Sequence, residues 1–371
     1  MNPNLIHTIG ILGGGQLGRM MCMAAKHMGF DVIVLDPDAD CPCGQVADKQ
    51  IVATYDDVAS LQLLLEQSDV VTYEFENVSL KAAQLLEAKL PQTSRLLEIT
   101  QNRILEKEAV HQYGLKTVPY TPIRNASDMD QFAASYESNV RRVFIKTAMG
   151  GYDGKGQYLI QNTEELKHFI QNHYQSQWHY VAETAVDFSK ELSVIVCRNA
   201  SGETAVFPVS ENIHHNRILH QSIVPARIED KLKNEIHAMA LQLADGLQLV
   251  GTLAMELFLC GDEILVNELA PRPHNSGHYT LDACMTSQFE QHIRAICNLP
   301  LGDTTQFSPC VMVNVLGEDM ALMDRTKVGK HKLHLYGKKE SRAGRKMGHI
   351  NIVEKDLDTC ISIANKMIEK K

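Results

Sequence analysis

The sequence predicts a fold of mixed α/β and α+β class, divided into two or three domains. Three observations support this prediction. The chain has 371 residues, 44% of them hydrophobic, which is enough for more than one core. Residues 1–100 alternate between strand-like and helix-like segments, as in a doubly wound parallel sheet. Farther along, two adjacent apolar strands, 252–259 and 264–270, are separated by a short polar link that is typical of a hairpin.

The N-terminal segment has the pattern of a βαβ unit. A short strand at 9–12 is followed by the glycine-rich turn Gly13–Gly18, an amphipathic helix, and a strand at 31–36 that ends on Asp36. This pattern is typical of dinucleotide binding, with a pyrophosphate at the helix N-terminus, so an NAD-dependent oxidoreductase is one hypothesis. The glycines could equally serve tight packing, and Gln16 could instead contact a smaller phosphorylated ligand.

A second ligand-binding position is predicted where the strand at 69–75 ends. Glu74 and Glu76 fall at its carboxyl end, the side on which ligands collect in open parallel sheets. The alternative for Glu76 is a capping role for a helix that begins at Ser79. The segment 91–100 that follows is interpreted as a domain boundary.

The middle of the chain carries a glycine-rich segment flanked by lysines. A strand at 143–146 ends on Lys146, and the segment Gly150–Gln157 (GGYDGKGQ) follows, with four glycines in its first seven residues. Glycines at this density cost stability, but they let backbone N–H groups turn inward as a nest for an anion. Lys146 and Lys155 add the positive charge that phosphate binding needs. We therefore predict a phosphate-binding lid that closes over substrate, the alternative being an ordinary hairpin turn.

A candidate adenine-binding hinge comes next. The strand at 181–186 leads into a loop, and Glu191 opens the following strand. Such a hinge can present backbone groups to an adenine, with Glu191 on the ribose hydroxyls, although the pattern alone is weak. His214 and His215 end a predicted strand over 207–213, and a histidine pair is more typical of a polar surface than of a ligand site.

The segment Val266–His278 (VNELAPRPHNSGH) organises the rest of the chain. Glu268 lies near the end of its apolar strand, and Glu256 lies within the apolar strand before it. A buried carboxylate is costly unless it is paired or binds metal, so two of them on neighbouring strands indicate a shared cation. Oxygen ligands that leave room for phosphates suit Mg²⁺. The alternative is an edge hairpin whose acids face solvent.

The register of this hairpin depends on the loop at 261–263. A three-residue loop places Glu256 opposite Glu268 on one face, whereas a two-residue loop places it opposite Asn267 and turns Glu268 the other way. We expect the three-residue loop, because two carboxylates side by side are what a bound cation requires.

The C-terminal segment is predicted to contain strands at 311–316 and 332–336 and a closing helix at 357–368. Behind the second strand comes a basic run: Lys338, Arg342, Arg345 and Lys346. Such a run in isolation suggests a solvated face or a nucleic-acid patch. In an acidic chain with a predicted phosphate-binding lid and adenine-binding hinge, we interpret it as a clamp for a monophosphate.

Composition excludes several classes of function. A formal charge of −9 leaves no global basic field for binding nucleic acid. No apolar run is long enough to span a bilayer, and glycines interrupt the N-terminal apolar stretch, so we expect neither a membrane segment nor a signal peptide. The nine cysteines include no CxxC pair, which favours reduced thiols in a cytoplasmic protein.

Four motifs together resemble one family of the ATP-grasp superfamily. They are GGGQLGR at Gly13–Arg19, GGYDGKGQ at Gly150–Gln157, NELAPRPHNSGH at Asn267–His278 and GRKMGH at Gly344–His349. The family is 5-(carboxyamino)imidazole ribonucleotide synthetase, and the resemblance runs from Gly13 to about Asn351. It implies a Rossmann-like pre-ATP-grasp domain at 1–100, an ATP-grasp domain at 101–300 with a mobile lid at about 120–190, and a small C-terminal domain at 301–371. It also implies a homodimer.

The resemblance implies a reaction in purine biosynthesis. ATP phosphorylates bicarbonate to carboxyphosphate, whose carboxyl group passes to the exocyclic amine of 5-aminoimidazole ribonucleotide, leaving ADP and phosphate. Phosphoryl transfer depends on positioning and charge neutralisation, which Mg²⁺, lysines and backbone N–H groups supply. A closed lid would also keep water away from carboxyphosphate.

The resemblance further implies residue roles. The positions that match ATP contacts are Arg103, Lys146, Gly151, Tyr152, Asp153, Gly154, Lys155, Gly156, Gln157, Glu183, Thr184, Ala185, Val186, Glu191, His214, Asn267 and Glu268. Glu256 and Glu268 match Mg²⁺ ligands. The positions expected at the ribonucleotide are Gln16, Glu76, Tyr152, Asp153, Arg272, His274, Lys338 and Arg345. The expected catalytic residues are Asp153, Lys146 and Arg272, with Asp153 orienting the amine or accepting its proton; a turn-stabilising role is its alternative.

Two other functions are compatible with the same motifs. One is a different ATP-grasp ligase, such as a formate-dependent glycinamide ribonucleotide transformylase, which differs in the acceptor and in the one-carbon donor. The other is a catalytically dead nucleotide sensor, although a sensor would not require Lys146, Glu256 and Glu268 together. The NAD hypothesis leaves the acid hairpin, the lid and the basic run unexplained.

Overall fold

The computed structural model describes residues 6–150, 156–322 and 328–369. The chain divides into two compact units. Unit 1 comprises Met1–Leu97, Leu192–Met255 and Ala270–Lys371, and unit 2 comprises Glu98–Glu191 and Glu256–Leu269.

The elements of both units are numbered here in chain order. The strands are β1 (Thr8–Leu12), β2 (Asp31–Asp36), β3 (Lys49–Val52), β4 (Val70–Tyr73), β5 (Tyr120–Ile123), β6 (Val143–Thr147), β7 (Gln157–Ile160), β8 (Tyr180–Thr184), β9 (Lys190–Arg198), β10 (Thr204–Val206), β11 (Ser210–His215), β12 (Ile218–Val224), β13 (Gly251–Cys260), β14 (Glu263–Ala270), β15 (Cys310–Leu316), β16 (Lys332–Leu335) and β17 (Lys346–Val353). The α-helices are α1 (Gln16–His27), α2 (Val58–Gln67), α3 (Leu80–Leu86), α4 (Ser94–Gln101), α5 (Arg103–Gln112), α6 (Ala126–Ser138), α7 (Thr163–Asn172), α8 (Asp230–Gly246), α9 (Thr280–Ala283), α10 (Gln288–Ile296) and α11 (Leu357–Glu369).

A four-stranded parallel sheet forms the N-terminal part of unit 1, in the order β3-β2-β1-β4. Ile9 of β1 is paired with Val32 of β2 and with Val70 of β4. The strands β1, β2 and β4 are buried over most of their length, as expected when helices cover both faces of a parallel sheet. This arrangement confirms the predicted α/β class and places the glycine turn between β1 and α1.

A nine-stranded sheet has the order β14-β13-β9-β11-β12-β15-β17-β16, with β10 also paired to β9. In unit 1, neighbouring strands from β11 to β16 run antiparallel, with a bulge in β11 between Ile213 and His214. Helix α11 packs on β15 and β17 through a core that includes Cys360 and Ala364. The C-terminal strands therefore extend this sheet.

Unit 2 contains a four-stranded antiparallel sheet in the order β5-β8-β6-β7. Phe144 of β6 is paired with Glu183 of β8, and Lys146 is paired with Gln157 of β7. Side chains of α6 and α7, among them Tyr136 and Phe169, form a core with the sheet. Two strand ends that carry functional candidates, Lys146 and Glu183, are fixed by this pairing.

The segment 91–100, expected to be a domain boundary, contains most of α4, and the division between the two units falls within it, between Leu97 and Glu98. Helix α5 starts at Arg103 because Asn102 caps it. The strand expected at 207–213 begins at Ser210, after Pro208, whose missing N–H removes a ladder bond. Among the described residues, no helix is long and apolar enough to cross a membrane.

Candidate active site

A cluster of buried charges lies where helix α5 contacts strand β8 in unit 2. Nζ of Lys107, on α5, is 2.9 Å from Oε1 of Glu183, and Nζ of Lys146, on β6, is 2.5 Å from Oε2 of the same carboxylate. The side chain of Lys107 is 2% exposed, that of Glu183 is 5% exposed and that of Lys146 is 15% exposed. The cluster therefore holds two cations on one carboxylate, an excess of one positive charge.

The ionisation of Glu183 follows from these contacts. Burial raises the pKa of its carboxyl, but the attraction of Lys146 and Lys107 outweighs burial and holds the pKa below the usual range. Glu183 is thus charged at neutral pH, and Lys146 is kept at the end of β6. A lysine fixed in this way can face an anionic substrate without searching for its position.

A second buried acid on α5 lies beside the acid hairpin. Oε1 of Glu106 accepts a hydrogen bond from the backbone N–H of Leu269, in β14. Burial, and then the negative charge of Glu268, raise the pKa of Glu106 to about 8. Because Glu106 stays largely protonated at neutral pH, it does not add a second negative charge next to Glu268.

The acid hairpin itself differs from the expected register. Strand β13 ends at Cys260 and β14 begins at Glu263, so the turn contains two residues, Gly261 and Asp262. The expected three-residue loop was therefore wrong. Counting back from a two-residue turn places Glu256 opposite Asn267, and a regular hairpin would then turn Glu268 to the other face. Glycine at position 261 has a φ of +63°, which is why the tight turn is available to this sequence.

Exposure along β14 does not simply alternate. Its burial runs from three buried residues, 264–266, to a half-buried Asn267 and an exposed Glu268. Glu256 is half-buried. The hairpin thus offers oxygen atoms from Glu256, Asn267 and Glu268 that are not sealed in the core. No group of three or more His, Cys, Asp or Glu side chains in the described ranges could hold a metal ion.

The remaining nucleotide candidates of unit 2 lie at strand ends and helix starts. Arg103 is the first residue of α5, and its N–H donates to the carbonyl of Ala148 at 2.9 Å. Thr184 ends β8, Ala185 donates its N–H to the carbonyl of Arg142, and Val186 and Glu191 are half-buried. His214 belongs to unit 1 and is exposed.

The predicted lid is only partly described. Gly151, Tyr152, Asp153, Gly154 and Lys155 lie outside the described residues. At its far end Gly156 has a φ of +68°, and a Cβ atom there would lie 2.6 Å from Oγ1 of Thr147. Glycine is therefore required at 156, and Gln157 starts β7 directly after it.

In unit 1, the glycine turn before α1 is filled by the protein's own carboxylate. Oε2 of Glu74 accepts a hydrogen bond of 3.2 Å from the N–H of Gly18, and a Cβ atom on Gly15 would lie 2.0 Å from Oε1 of Glu74. The acid at the end of β2 is used in the same way: Asp36 accepts hydrogen bonds from the N–H of Gly14 and the hydroxyl of Tyr55. Neither the helix N-terminus nor Asp36 is available to a dinucleotide, so the glycines serve close packing.

Gln16 lies at this turn and Glu76 lies at the following strand end. Gln16 is the first residue of α1 and is half-buried. Glu76 forms an ion pair with Arg272, whose side chain is 15% exposed. The helix that begins at Leu80 is capped by the hydroxyl of Ser79, so the capping alternative for Glu76 was wrong.

His274 follows Arg272 in the same loop and is held on both sides. The backbone N–H of His274 donates to Oε1 of Gln288 at 2.8 Å, and its ring Nδ1 lies 2.9 Å from the hydroxyl of Ser276. Burial, followed by the positive charges of Arg272, Lys346 and His214, lowers the pKa of His274 well below its ordinary value. His274 is thus a neutral imidazole in a positively charged surrounding.

The basic run of the C-terminal segment places positive charges around one half-buried lysine, Lys338. Nζ of Lys338 donates to the carbonyl of Lys346 at 2.8 Å and lies 5.7 Å from the ring centroid of Tyr336. Burial and the charge of Arg345 lower the pKa of Lys338 to about 8. Positive charges gathered against one another in this way favour an anionic ligand, and Lys338 is only partly open to solvent.

Three family models match consecutive parts of the chain. They are the ribonucleotide synthetase preATP-grasp domain over residues 6–101, the ATP-grasp domain over 108–289 and the phosphoribosylaminoimidazole carboxylase C-terminal domain over 310–362. The N5-carboxyaminoimidazole ribonucleotide synthase of Bacillus subtilis strain 168 is 50% identical over 369 residues, which cover 98% of this chain and 96% of the relative. The chain belongs to the N5-carboxyaminoimidazole ribonucleotide synthetase family.

Other relatives agree with this membership. The synthase of Brucella melitensis is 43% identical over 94% of this chain and 96% of its own. A crystal structure of an ADP complex of a family member has a TM-score of 0.91 and 51% identity, covering 98% of this chain and 96% of that one. A structure from Aspergillus clavatus in complex with ADP and 5-aminoimidazole ribonucleotide has a TM-score of 0.89 and 26% identity, with 98% of each chain covered.

Membership in the N5-carboxyaminoimidazole ribonucleotide synthetase family confirms the predicted fold and makes the protein an ATP-grasp ligase. The NAD-dependent oxidoreductase hypothesis is wrong, because the family is one of ATP-grasp ligases, and Asp36 and the N–H of Gly18 are already engaged by hydrogen bonds within the protein. The two alternatives that share the ATP-grasp motifs, a transformylase and a dead sensor, are not what the relatives are named.

Two residues beside the candidate site, Glu106 and Lys107, were not predicted from the sequence. They lie three and four positions after Arg103, a helical spacing that places them on one face with it. That spacing was a usable signal, since charged residues on the inward face of a helix need partners. Lys346 was noted in the basic run, but its influence on His274 and Lys338 depends on the fold.

Proposed function

We propose that the protein uses ATP and bicarbonate to carboxylate the exocyclic amine of 5-aminoimidazole ribonucleotide, giving N5-carboxyaminoimidazole ribonucleotide, ADP and phosphate. The observation that carries this proposal is the structural similarity, over 98% of both chains, to a protein from Aspergillus clavatus that was crystallised with ADP and 5-aminoimidazole ribonucleotide. Each of the two ligand types has a matching set of candidate residues in this chain.

The first step is phosphoryl transfer in unit 2. An oxygen of bicarbonate attacks the γ-phosphorus of ATP, the bond to the β-phosphate oxygen breaks, and carboxyphosphate and ADP result. Lys146, held by Glu183, would offset charge on the phosphates, and Lys107 keeps Glu183 ionised. The other proposed ATP-binding residues are Arg103, Gly151, Tyr152, Asp153, Gly154, Lys155, Gly156, Gln157, Thr184, Ala185, Val186, Glu191, His214 and Asn267.

The second step is carboxyl transfer to the amine. The amine nitrogen attacks the carboxyl carbon of carboxyphosphate, the carbon–oxygen bond to phosphate breaks, and the amine loses one proton. Asp153 is the proposed group that orients the amine or accepts the proton. Arg272, aligned by Glu76, would stabilise the developing negative charge.

Magnesium is the proposed metal, with Glu256 and Glu268 as its protein ligands. The donors fit this ion by chemistry, because Mg²⁺ prefers oxygen ligands and completes its shell with water and substrate phosphates. A regular two-residue hairpin would turn Glu268 away from Glu256, but burial along β14 does not alternate at Asn267 and Glu268, and both residues remain outside the core. When bound, it would neutralise charge on the triphosphate. The neutral Glu106 beside Glu268 favours such a site, since it leaves Glu268 as the charged member of that pair.

The ribonucleotide is proposed to bind in unit 1. Lys338 and Arg345 would hold its phosphate, because both contribute to one cluster of positive charge. His274 is neutral and would act as a hydrogen-bonding group rather than as a cation. Gln16, Glu76 and Arg272 complete the proposed set in unit 1. The family resemblance adds Tyr152 and Asp153 as candidates, and both lie outside the described residues.

Three further features are proposed on the basis of family membership. The domains are assigned to 1–100, 101–300 with a lid at about 120–190, and 301–371, and the family matches at 6–101, 108–289 and 310–362 support this division. The protein is proposed to be a homodimer and to reside in the cytoplasm. Its partners are proposed to be small molecules rather than nucleic acid or membrane.

The test is phosphate release from MgATP, measured with and without bicarbonate and 5-aminoimidazole ribonucleotide. We expect release to require bicarbonate and to increase with ribonucleotide, and mass spectrometry to detect the carboxylated product. The Glu268→Gln variant should lose turnover while its circular dichroism is unchanged. Release that ignores the ribonucleotide, or that responds to formate with glycinamide ribonucleotide, would contradict the proposal.

A further inference from the structure

A buried chain of polar side chains links strand β4 to the loop that carries Arg272. Thr72, in β4, is fully buried, Gln92 is 2% exposed, and His292, in α10, is fully buried. The hydroxyl of Thr72 lies 2.9 Å from Nε2 of His292 and 2.5 Å from Oε1 of Gln92. Nε2 of Gln92 donates to the carbonyl of Pro271 at 2.8 Å. All four residues belong to unit 1.

The direction of each hydrogen bond in this chain is fixed by chemistry. The Pro271 carbonyl can only accept, so the amide nitrogen of Gln92 faces it and the amide oxygen faces Thr72. The Thr72 hydroxyl therefore donates to Gln92, which leaves its oxygen to accept from Nε2–H of His292. Burial lowers the pKa of His292 to about 3, so its ring is neutral and carries its proton on Nε2. Its Nδ1 is buried and has no hydrogen-bond partner in the described part of the chain.

The two ends of this chain of hydrogen bonds, Thr72 and Pro271, are next to proposed ribonucleotide-binding residues. Thr72 lies four residues before Glu76 on the segment that leaves β4, and Pro271 directly precedes Arg272. Glu76 and Arg272 form the ion pair described above. The chain thus joins the backbone on both sides of that pair. A Cβ atom on Gly251 would lie 3.2 Å from both the Gln92 side chain and the His292 ring, so the surroundings leave little room for the chain to shift.

We propose that Thr72, Gln92 and His292 are positioning residues that hold the Pro271 carbonyl and thereby align Arg272 with Glu76 for the ribonucleotide. This inference rests on the proposed function, because it assumes that Arg272 and Glu76 contact that substrate. None of the three touches substrate. Small displacements of a positioned group reduce binding or rate markedly, so the chain is expected to act on the ribonucleotide and not on ATP.

The test compares two substitutions of the same kind at buried threonines. Thr72→Val removes the hydroxyl that joins His292 to Gln92. Thr252→Val removes a hydroxyl that is equally buried and lies 3.1 Å from Sγ of Cys197. We expect Thr72→Val to raise KM for the ribonucleotide about tenfold, as loss of about one buried hydrogen bond would. It should also lower kcat, because Arg272 is proposed to act in carboxyl transfer, whereas the KM for ATP should stay within about twofold. Thr252→Val should leave all three within about twofold, and Thr72→Ser should restore the wild-type KM.

A second pair of variants covers the case in which Thr72→Val does not fold. Gln92→Met and Gln291→Met each remove a buried amide that donates to a carbonyl, at Pro271 and at Gly302 respectively. Only Gln92→Met should raise the ribonucleotide KM. Equal effects within a pair, or no effect at Thr72 and Gln92, would overturn the inference. Absence of ribonucleotide-dependent phosphate release in the wild type would instead overturn the proposed function.

Discussion

Glu183 of unit 2 and Glu74 of unit 1 are both buried, at 4% and 7% exposure, but their charges are controlled differently. Glu183 has Lys107 and Lys146 within 2.9 Å and 2.5 Å, and their attraction holds its pKa below the usual range despite burial. Glu74 accepts a hydrogen bond from the N–H of Gly18, and burial raises its pKa to about 7. Burial is common to both sites, so the direct contact with a cation is what separates them.

The difference has a consequence for ligand binding. In the Lys107–Glu183–Lys146 cluster of unit 2 the charges are settled before any substrate arrives, which suits the permanently charged phosphates of a nucleotide. In unit 1 the pKa of Glu74 is about 7 and that of Lys338 is about 8, so both groups titrate near neutral pH. A phosphate next to Lys338 would favour its charged form, and we expect proton uptake to accompany ribonucleotide binding there.

The largest expected effect comes from breaking the unit 2 cluster. Glu183→Gln leaves Lys107, with a side chain only 2% exposed, without its counter-charge. Removing one partner of a buried ion pair typically costs about 3–5 kcal/mol of unfolding free energy. We expect this loss of unfolding free energy in urea unfolding at pH 7, and it should be measurable in the absence of nucleotide.

The control for this prediction is Glu263→Gln, also in unit 2. Glu263 pairs with Lys116 at 2.6 Å, but the two side chains are 50% and 71% exposed. Solvent screens such a pair, so this variant should unfold close to the wild type. If both variants unfolded at the same urea concentration, burial would not be the reason that Glu183 matters.

A somewhat smaller effect is expected from the pH dependence of Glu74. Its pKa is raised from 4.5 to about 7 in the folded state, so between these values the folded protein binds more protons than the unfolded chain. Unfolding free energy contributed by this group therefore falls as pH rises from 4.5 to 7, by at most about 3 kcal/mol. Glu74→Gln should remove that fall.

The measurement is urea unfolding of both proteins at pH 5, 6 and 7 without ligand. We expect the unfolding free energy of Glu74→Gln, relative to that of the wild type, to increase from pH 5 to pH 6 and again from pH 6 to pH 7. Parallel curves would mean that Glu74 ionises normally in the folded protein. A gain in the opposite direction would mean that Lys338 contacts Glu74 as closely as Lys146 contacts Glu183.

The different environments of Glu74 and Glu76 could not be predicted from the sequence. Glu74 and Glu76 lie two residues apart at the end of one strand, and both were candidates for ligand binding. Which of them is sealed under Gly15 and Gly18, and which pairs with Arg272, depends on segments that are remote in sequence. The positions of the strands followed from hydrophobic pattern and turn residues, which are local properties.

The acid hairpin shows a second limit. Its strands and both acids were located from the sequence, yet the turn has two residues, Gly261 and Asp262, where three were expected. The expectation came from the electrostatics of a bound cation, whereas the turn is set by the backbone freedom of Gly261. Chemistry at one end of a hairpin does not determine the turn at the other end.

The smallest expected effect concerns the positive cluster of unit 1. Arg345→Ala removes one charge near Lys338, which should raise the pKa of Lys338 and weaken phosphate binding. We expect the ribonucleotide KM to rise about tenfold, equivalent to about 1.4 kcal/mol, with bicarbonate-dependent ATP turnover in the absence of ribonucleotide unchanged. Arg342→Ala is the matched control, because Arg342 is 71% exposed and pairs with Glu340. Equal KM values for the two variants would show that the cluster near Lys338 does not bind the phosphate. The Lys107–Glu183–Lys146 cluster of unit 2 would then be the only one of the two proposed here to bind phosphate groups.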